Sequence, residues 1–410
     1  MSTVPTQPNR RQVLKWGTAA GLTGSFLGQT SFASPETFEI PEVQKYNRLG
    51  RTDFEISDIS FGSSGIRRGQ ENVVRHAIDR GINYLDTAES YTNGQSETVI
   101  GNVVKGMRDK VYIVSKIISY PQMKSEDIMK RLEESLKRLQ TDYVDVYMNH
   151  AVNDVKRMES PEWHKFVETA KEQGKIRFAG MSGHAGRLAQ CLEYSLDQDI
   201  CDVVLCAYNF GQDPSFMANL TRGMDWIARQ PKLPELLKKA KKNDVGTVVM
   251  KTLAGARLND MKPWEKDGST FSQAAFRWVL SNSDVDALIV SMNSTANIDE
   301  FLVASGAEEM SYGDQELLER YIALNNETYC RPGCSDCESS CPYNVQVADV
   351  LRTRMYATDY RDVEMARNEY AQLAVNGGAC LSCSGTPCQS ACTYGVSIAK
   401  LSAPTHRILA

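Results

Sequence analysis

Four side chains between residues 86 and 150 form a set that can move a proton beside a carbonyl group. The run INYLDTAESYTNGQSE carries Asp86 and Tyr91, VYIVSKI carries Lys116, and YVDVYMNH carries His150. Asp86, Lys116 and His150 each close a β-type run, and Tyr91 follows just after the first of them. Reducing a carbonyl needs a hydride donor and a proton donor. A phenol with a pKa of about 10 is a poor acid near neutrality unless a cation lowers it. Lys116 is expected to be that cation, held charged and in place by Asp86. His150 is expected to hydrogen-bond the carbonyl oxygen and orient it. Taken singly, a tyrosine near a strand end is ordinary packing and a lysine is ordinary surface. All four in order at strand ends point to a site.

Such a site forms only if the strand ends meet, as they do when parallel strands close into a barrel. The sequence supplies the strands. Residues 46–55, YNRLGRTDFE, read as a short hairpin. Strands follow at 56–65, at a run ending in Asp86, and at 111–116, 143–149, 174–185, 202–210, 244–255 and 286–294. Helices are expected between them; the one from Ser125 carries Ile128, Leu132, Leu136 and Leu139 on one face. The fold class is therefore α/β. A doubly wound sheet is the alternative, but no G-x-G-x-x-G follows an early strand.

This order of elements and the set Asp86, Tyr91, Lys116, His150 resemble the aldo-keto reductases over most of residues 45–305. The resemblance implies a (β/α)8 TIM barrel spanning 45–327, with those four residues catalytic. It also implies hydride exchange with NADP or NAD and a small carbonyl or sugar-like substrate. By the same resemblance Ser182 binds the nicotinamide carboxamide and Tyr208 stacks on the ring. Gly183 and His184 follow Ser182 where the family has an asparagine, and Leu205 stands where it has a glutamine. The last strand leads into SMNSTANIDEF, without the family's basic residue for a 2′-phosphate. Ser291, Asn293, Ser294 and Asn297, near a helix N-terminus, are the candidates to receive a phosphate there. The loop at 210–232, with Phe210, Phe216 and Trp226, and the side chains of His184 and Trp264 are candidates to line the mouth or simply to pack.

Beyond residue 328 the composition changes. CRPGCSDCESSCP spaces Cys330, Cys334, Cys337 and Cys341 as C-x3-C-x2-C-x3-C-P, and CLSCSGTPCQSAC spaces Cys380, Cys383, Cys388 and Cys392 as C-x2-C-x4-C-x3-C. The first resembles the bacterial ferredoxin run, and the second is a looser copy. That resemblance implies a small, mainly α-helical ferredoxin-like domain over 328–410 with 4Fe–4S clusters, two in number by the count of runs. It further implies crossed ligation, with Cys330, Cys334, Cys337 and Cys392 on one cluster and Cys380, Cys383, Cys388 and Cys341 on the other. Disulfides and zinc are the competing uses of such cysteines. Cys191, Cys201 and Cys206 lie outside the runs and are expected to be buried as small apolar residues.

The N-terminus reads NRRQVLKW, then a weakly apolar stretch, then SFA at Ser31–Ala33. This is similar to a twin-arginine signal peptide over residues 1–33, followed by a linker at 34–44. It implies folded export to the periplasm, a route suited to a protein loaded with its clusters in the cytoplasm. The whole chain has 410 residues and net charge −5. No basic stripe suggests nucleic acid, and no apolar run reaches membrane-spanning length. Two functions follow. One is an exported reductase whose clusters serve a redox protein partner. The other is a barrel that has lost its reductase role and acts as a scaffold or electron-transfer subunit.

Overall fold

The computed structural model describes residues 40–211, 232–254, 260–266, 269–325, 328–331, 334–359 and 362–410. The leader at 1–33, and Phe216 and Trp226 in the long loop, lie outside the described residues. An antiparallel pair, β1 (Tyr46–Arg48) and β2 (Glu55–Ser57), precedes the barrel. The barrel strands are β3 (Ile59–Gly62), β4 (Tyr84–Asp86), β5 (Tyr112–Ile117), β6 (Val144–Asn149), β7 (Ile176–Gly183), β8 (Val203–Ala207), β9 (Gly246–Met250) and β10 (Ala287–Ser291). They pair in sequence order, all parallel, and β10 closes on β3. This is an eight-stranded β/α barrel; the open doubly wound sheet is excluded by the closure.

Alternation along the strands divides the core in two. Tyr84, Val114, Val146, Met148, Val203, Leu205, Val248, Ala287 and Ile289 fill the interior, joined by Leu49, Phe54 and Ile56 from the hairpin. Phe54 stacks on Tyr112 at 4.3 Å between ring centroids, so the hairpin plugs the end where the strands begin. The outward residues pack beneath the helices, among them Ser125–Leu139 with its stripe Ile128, Leu132, Leu136 and Leu139. At β7 and β8 the backbones approach too closely for a side chain: a Cβ at Gly180 would stand 2.1 Å from the Val203 carbonyl oxygen.

After the barrel, helix Tyr312–Asn325 packs on helix Phe271–Leu280, with Phe271 stacked on Tyr321 at 4.6 Å. Helices Val347–Thr358, Val363–Ala371 and Ile398–Leu409 then form a small bundle carrying the cysteine runs at its ends. The last of these is an element that the cysteine pattern did not announce. The bundle does not stand apart: Pro41–Ala410 is one compact unit. No helix among the described residues is long and apolar enough to cross a membrane.

Candidate active site

The interior alternation delivers the site residues. Asp86 lies two residues beyond Tyr84, Lys116 two beyond Val114, and His150 two beyond Met148, so each extends an inward-facing row to the C-terminal mouth. The structure brings all four expected residues together. Lys116 Nζ, 0 % exposed in its side chain, donates to Asp86 Oδ2 at 2.7 Å, to the Thr87 carbonyl at 2.7 Å and to the Tyr91 hydroxyl at 3.4 Å. The ammonium also lies 4.8 Å from the Tyr91 ring centroid. The His150 ring meets Tyr91 edge-on, with centroids 5.6 Å apart and planes at 79°.

The electrostatics differ in one respect from the sequence expectation. Tyr91 is not made acidic: burial raises its pKa well above the usual 10, and the carboxylates of Asp86 and Glu369 raise it further. The Lys116 charge is compensated by Asp86 at contact distance, which leaves little of it for the phenol. Burial lowers Lys116 and raises Asp86, and their mutual contact opposes both shifts. His150 is held neutral, well below the usual 6.5, by burial and then by Lys116, Arg157 and Lys251. Its Nδ1 is buried with no hydrogen-bond partner. Arg157 fixes the backbone there, donating to the carbonyl oxygens of His150 at 2.7 Å, Ala151 at 2.9 Å and Ser119 at 2.7 Å.

The expected cofactor residues divide. Ser182 is buried at the mouth, where its Oγ accepts from the Ala151 N–H at 3.0 Å. Ser291 ends β10 and shares a 2.7 Å hydrogen bond with Ser64. Ser294 caps helix Thr295–Leu302: its Oγ accepts from the Asn297 N–H at 3.2 Å and donates to Asn297 Oδ1 at 2.9 Å. The Asn293 carbonyl accepts from Gln70 at 3.2 Å, which joins this corner to the loop bearing exposed Arg67 and Arg68. Tyr208 requires a correction. It is 2 % exposed, packed on Trp278 at 5.1 Å, and its hydroxyl accepts from Asn282 at 3.1 Å. Three residues past inward-facing Leu205, it falls on the outer face of the barrel wall and cannot present its ring to the mouth. Leu205 itself belongs to the apolar interior. Burying a leucine there contributes about 1.5–3 kcal/mol, which a glutamine would not.

Helices Val347–Thr358 and Val363–Ala371 roof the mouth. Asp349 accepts from Asn153 at 2.7 Å and from the Gly186 N–H at 3.1 Å; Tyr356 meets His184 at 3.1 Å; Tyr120 donates to Gln372 at 2.7 Å; and Asn93 donates to Glu364 at 3.2 Å. His184 thus faces the roofed space, as the sequence allowed. Phe210 packs in the core, and Trp264 lines a separate surface cleft with Tyr312 and Arg320. Lys251 was missed. It follows β9 as Lys116 and His150 close their strands, lies 4.5 Å from the Tyr356 ring centroid, and is lowered to about 7 by burial and then by Arg352. The strand-end rule used for the other residues also reaches it.

The eight C-terminal thiols sort into two groups. Burial pushes Cys330 up to about 12; Arg352 opposes the shift, and the neighbouring Cys334 and Cys392 add to it; Cys337 is raised by burial and then by the other three. Cys380 is pushed up to about 11 by burial, then by Cys388, Cys341 and Cys383. Each group therefore draws three thiols from one run and one from the other. Among the described residues no three or more His, Cys, Asp or Glu side chains converge closely enough to hold a metal ion. Cys191, Cys201 and Cys206 are buried in the core, each pushed up to about 12 by burial.

Barrel and mouth together define an oxidoreductase built on a β/α barrel. The chain belongs to the aldo/keto reductase family, whose sequence profile matches residues 66–315. The L-galactose dehydrogenase of Arabidopsis thaliana is 26% identical over 302 residues, 67% of this chain and 92% of that protein. Aldo-keto reductase YhdN of Bacillus subtilis is 31% identical over 156 residues, 34% of this chain and 46% of the relative. Among solved structures, an aldo/keto reductase from Klebsiella pneumoniae in complex with NADP and acetate is similar at 26% identity and TM-score 0.52, covering 68% of this chain and 95% of that one. The family match ends before the first C-terminal cysteine.

Proposed function

We propose that the protein is an exported aldo-keto reductase that interconverts a carbonyl and an alcohol. We further propose that its C-terminal thiols hold two 4Fe–4S clusters serving an outside redox protein. The carrying observation is the buried contact of Lys116 Nζ with Asp86 at 2.7 Å beside the Tyr91 hydroxyl at 3.4 Å. Bound NADP or NAD supplies the hydride. Ser291, Asn293 and the helix N-terminus capped by Ser294 and Asn297 would hold its phosphates, with Arg67 and Arg68 on the adjoining loop. Ser182 remains the candidate for the nicotinamide end. His150, neutral and with Nδ1 unpartnered, would donate to the substrate carbonyl oxygen. Tyr91 would deliver its proton to that oxygen as negative charge gathers there.

A pH profile tests these roles. The Tyr91 proton is held above the usual phenol range, so reduction is expected to be flat from about pH 6 to about pH 9. Alcohol oxidation needs the phenolate and should rise about tenfold per pH unit, without a plateau, up to about pH 10. A plateau near neutrality would reject this assignment.

The two thiol groups fit the donor chemistry of iron–sulfur clusters, which take four cysteines each. Zinc would take the same four-thiolate sets, so metal analysis distinguishes the two. Bound clusters would pass single electrons. Cys334 and Cys337 are buried, whereas the second group lies near the surface by exposed Leu381. Electrons would therefore exchange with the partner at the second group and with the barrel through the first. Iron analysis is expected to give about eight irons per chain. The double variant Cys330→Ala with Cys392→Ala should keep about four if ligation is crossed, and almost none if each run holds its own cluster.

Export rests on the twin-arginine leader at 1–33, and the periplasm is its expected destination. The scaffold alternative gains from Tyr208 and Leu205, both committed to packing. Dinucleotide released by acid from protein purified from its native compartment decides between the two readings.

A further inference from the structure

The roof and the barrel mouth border an open cavity of about 240 Å³. Arg352, His184, Tyr356, Glu369, Arg157 and Asp349 contribute to its lining. Most of these polar groups are already engaged. Asp349 is held by Asn153 and the Gly186 N–H, and Arg157 by backbone carbonyls. Arg352 is different. It is 3 % exposed, yet its Nε and Nη2 have no hydrogen-bond partner. A buried guanidinium carries five N–H donors in a flat fork and cannot shed its charge, so leaving two of its nitrogens unmet is costly. Two other lining residues stand together beside it: Tyr356, with Lys251 over its ring, meets His184 at 3.1 Å. The cavity adjoins the proposed catalytic set through Ala151 and Arg157, which line it: Ala151 follows His150 in the chain, and Arg157 donates to the His150 carbonyl oxygen at 2.7 Å.

We propose that the roofed cavity seats a carboxylate on Arg352, and that the substrate is a carbonyl compound bearing an acid group. This rests on the reductase reading of the same mouth. A planar carboxylate matches the guanidinium fork with two parallel hydrogen bonds, a pairing that a hydroxyl cannot reproduce. Glu369 shares the cavity, but burial draws it toward the neutral form, against the opposing pull of Lys251, Arg157 and Arg352. The roof therefore completes the substrate site with a residue that the barrel does not contain.

D-Glucuronate and D-glucose are a suitable pair of probes, since they differ only in a carboxylate at C6. Calorimetric titration of the cluster-loaded protein is expected to give glucuronate about tenfold or more tighter binding than glucose. Arg352→Gln should reduce that ratio to about one, and Arg352→Lys should restore part of it, being a point charge without the fork. A preference that survives in Arg352→Gln would overturn the proposal. So would an unchanged preference with an altered paramagnetic resonance spectrum of the reduced protein, since Arg352 would then serve the first thiol group. No preference in the wild type would also overturn it. The arms separate the two readings: glucuronate binding reports on Arg352 even if Tyr91→Phe shows that the barrel is not a reductase.

Discussion

Tyr91→Phe is expected to slow carbonyl reduction by about a hundredfold to ten-thousandfold, the usual contribution of a positioned proton donor. The phenyl ring can keep the edge-on contact with His150 and the place beside Lys116, so little but the proton is removed. Substrate affinity and thermal midpoint should change little by comparison, which separates lost chemistry from lost structure. The measurement is steady-state turnover of an aldehyde panel with cofactor in excess. Unchanged turnover would reject Tyr91 as the acid and favour the scaffold reading.

The second large effect is on stability. Lys116→Met leaves Asp86 buried without its cation and is expected to destabilise the fold by about 3–5 kcal/mol. Pairing it with Asp86→Leu removes both charges from the mouth. Most of the loss should then return, because two apolar groups replace an ion pair whose desolvation was costly. Denaturant titration of the two single variants and the double gives the coupling directly. A Lys116→Met protein as stable as the wild type would show that Asp86 is protonated or solvated, and that the ion pair is not part of the native site. The double variant should fold and remain inactive, since neither charge is left to orient Tyr91.

Much of this site was legible along the chain because its cause is local. Strand alternation has a period of two, so Asp86, Lys116 and His150 each sit in step with a buried apolar residue two positions earlier. The same parity places Tyr208 out of step with Leu205, and the family resemblance alone was a weaker guide to its ring than that count. Lys251 obeyed the strand-end rule as well and was missed only for want of a partner in the sequence pattern. The expected acidity of Tyr91 failed for another reason: burial disfavours the phenolate first, and Asp86, which stands closer to Lys116 than the phenol does, raises it further.

Sequence by itself determined the barrel, the order of its strands, the residues at their mouth, and the two cysteine runs. These follow from periodicity and spacing, which are properties of near neighbours in the chain. Only the tertiary structure decided that helices Val347–Thr358 and Val363–Ala371 lie over that mouth and bring Arg352 and Glu369 to it. Contacts such as Tyr356 with His184 join residues 172 positions apart, and no local pattern encodes such a pairing. It comes from packing two amphipathic surfaces together, and burial then sets the charge states that the sequence alone left at their ordinary values.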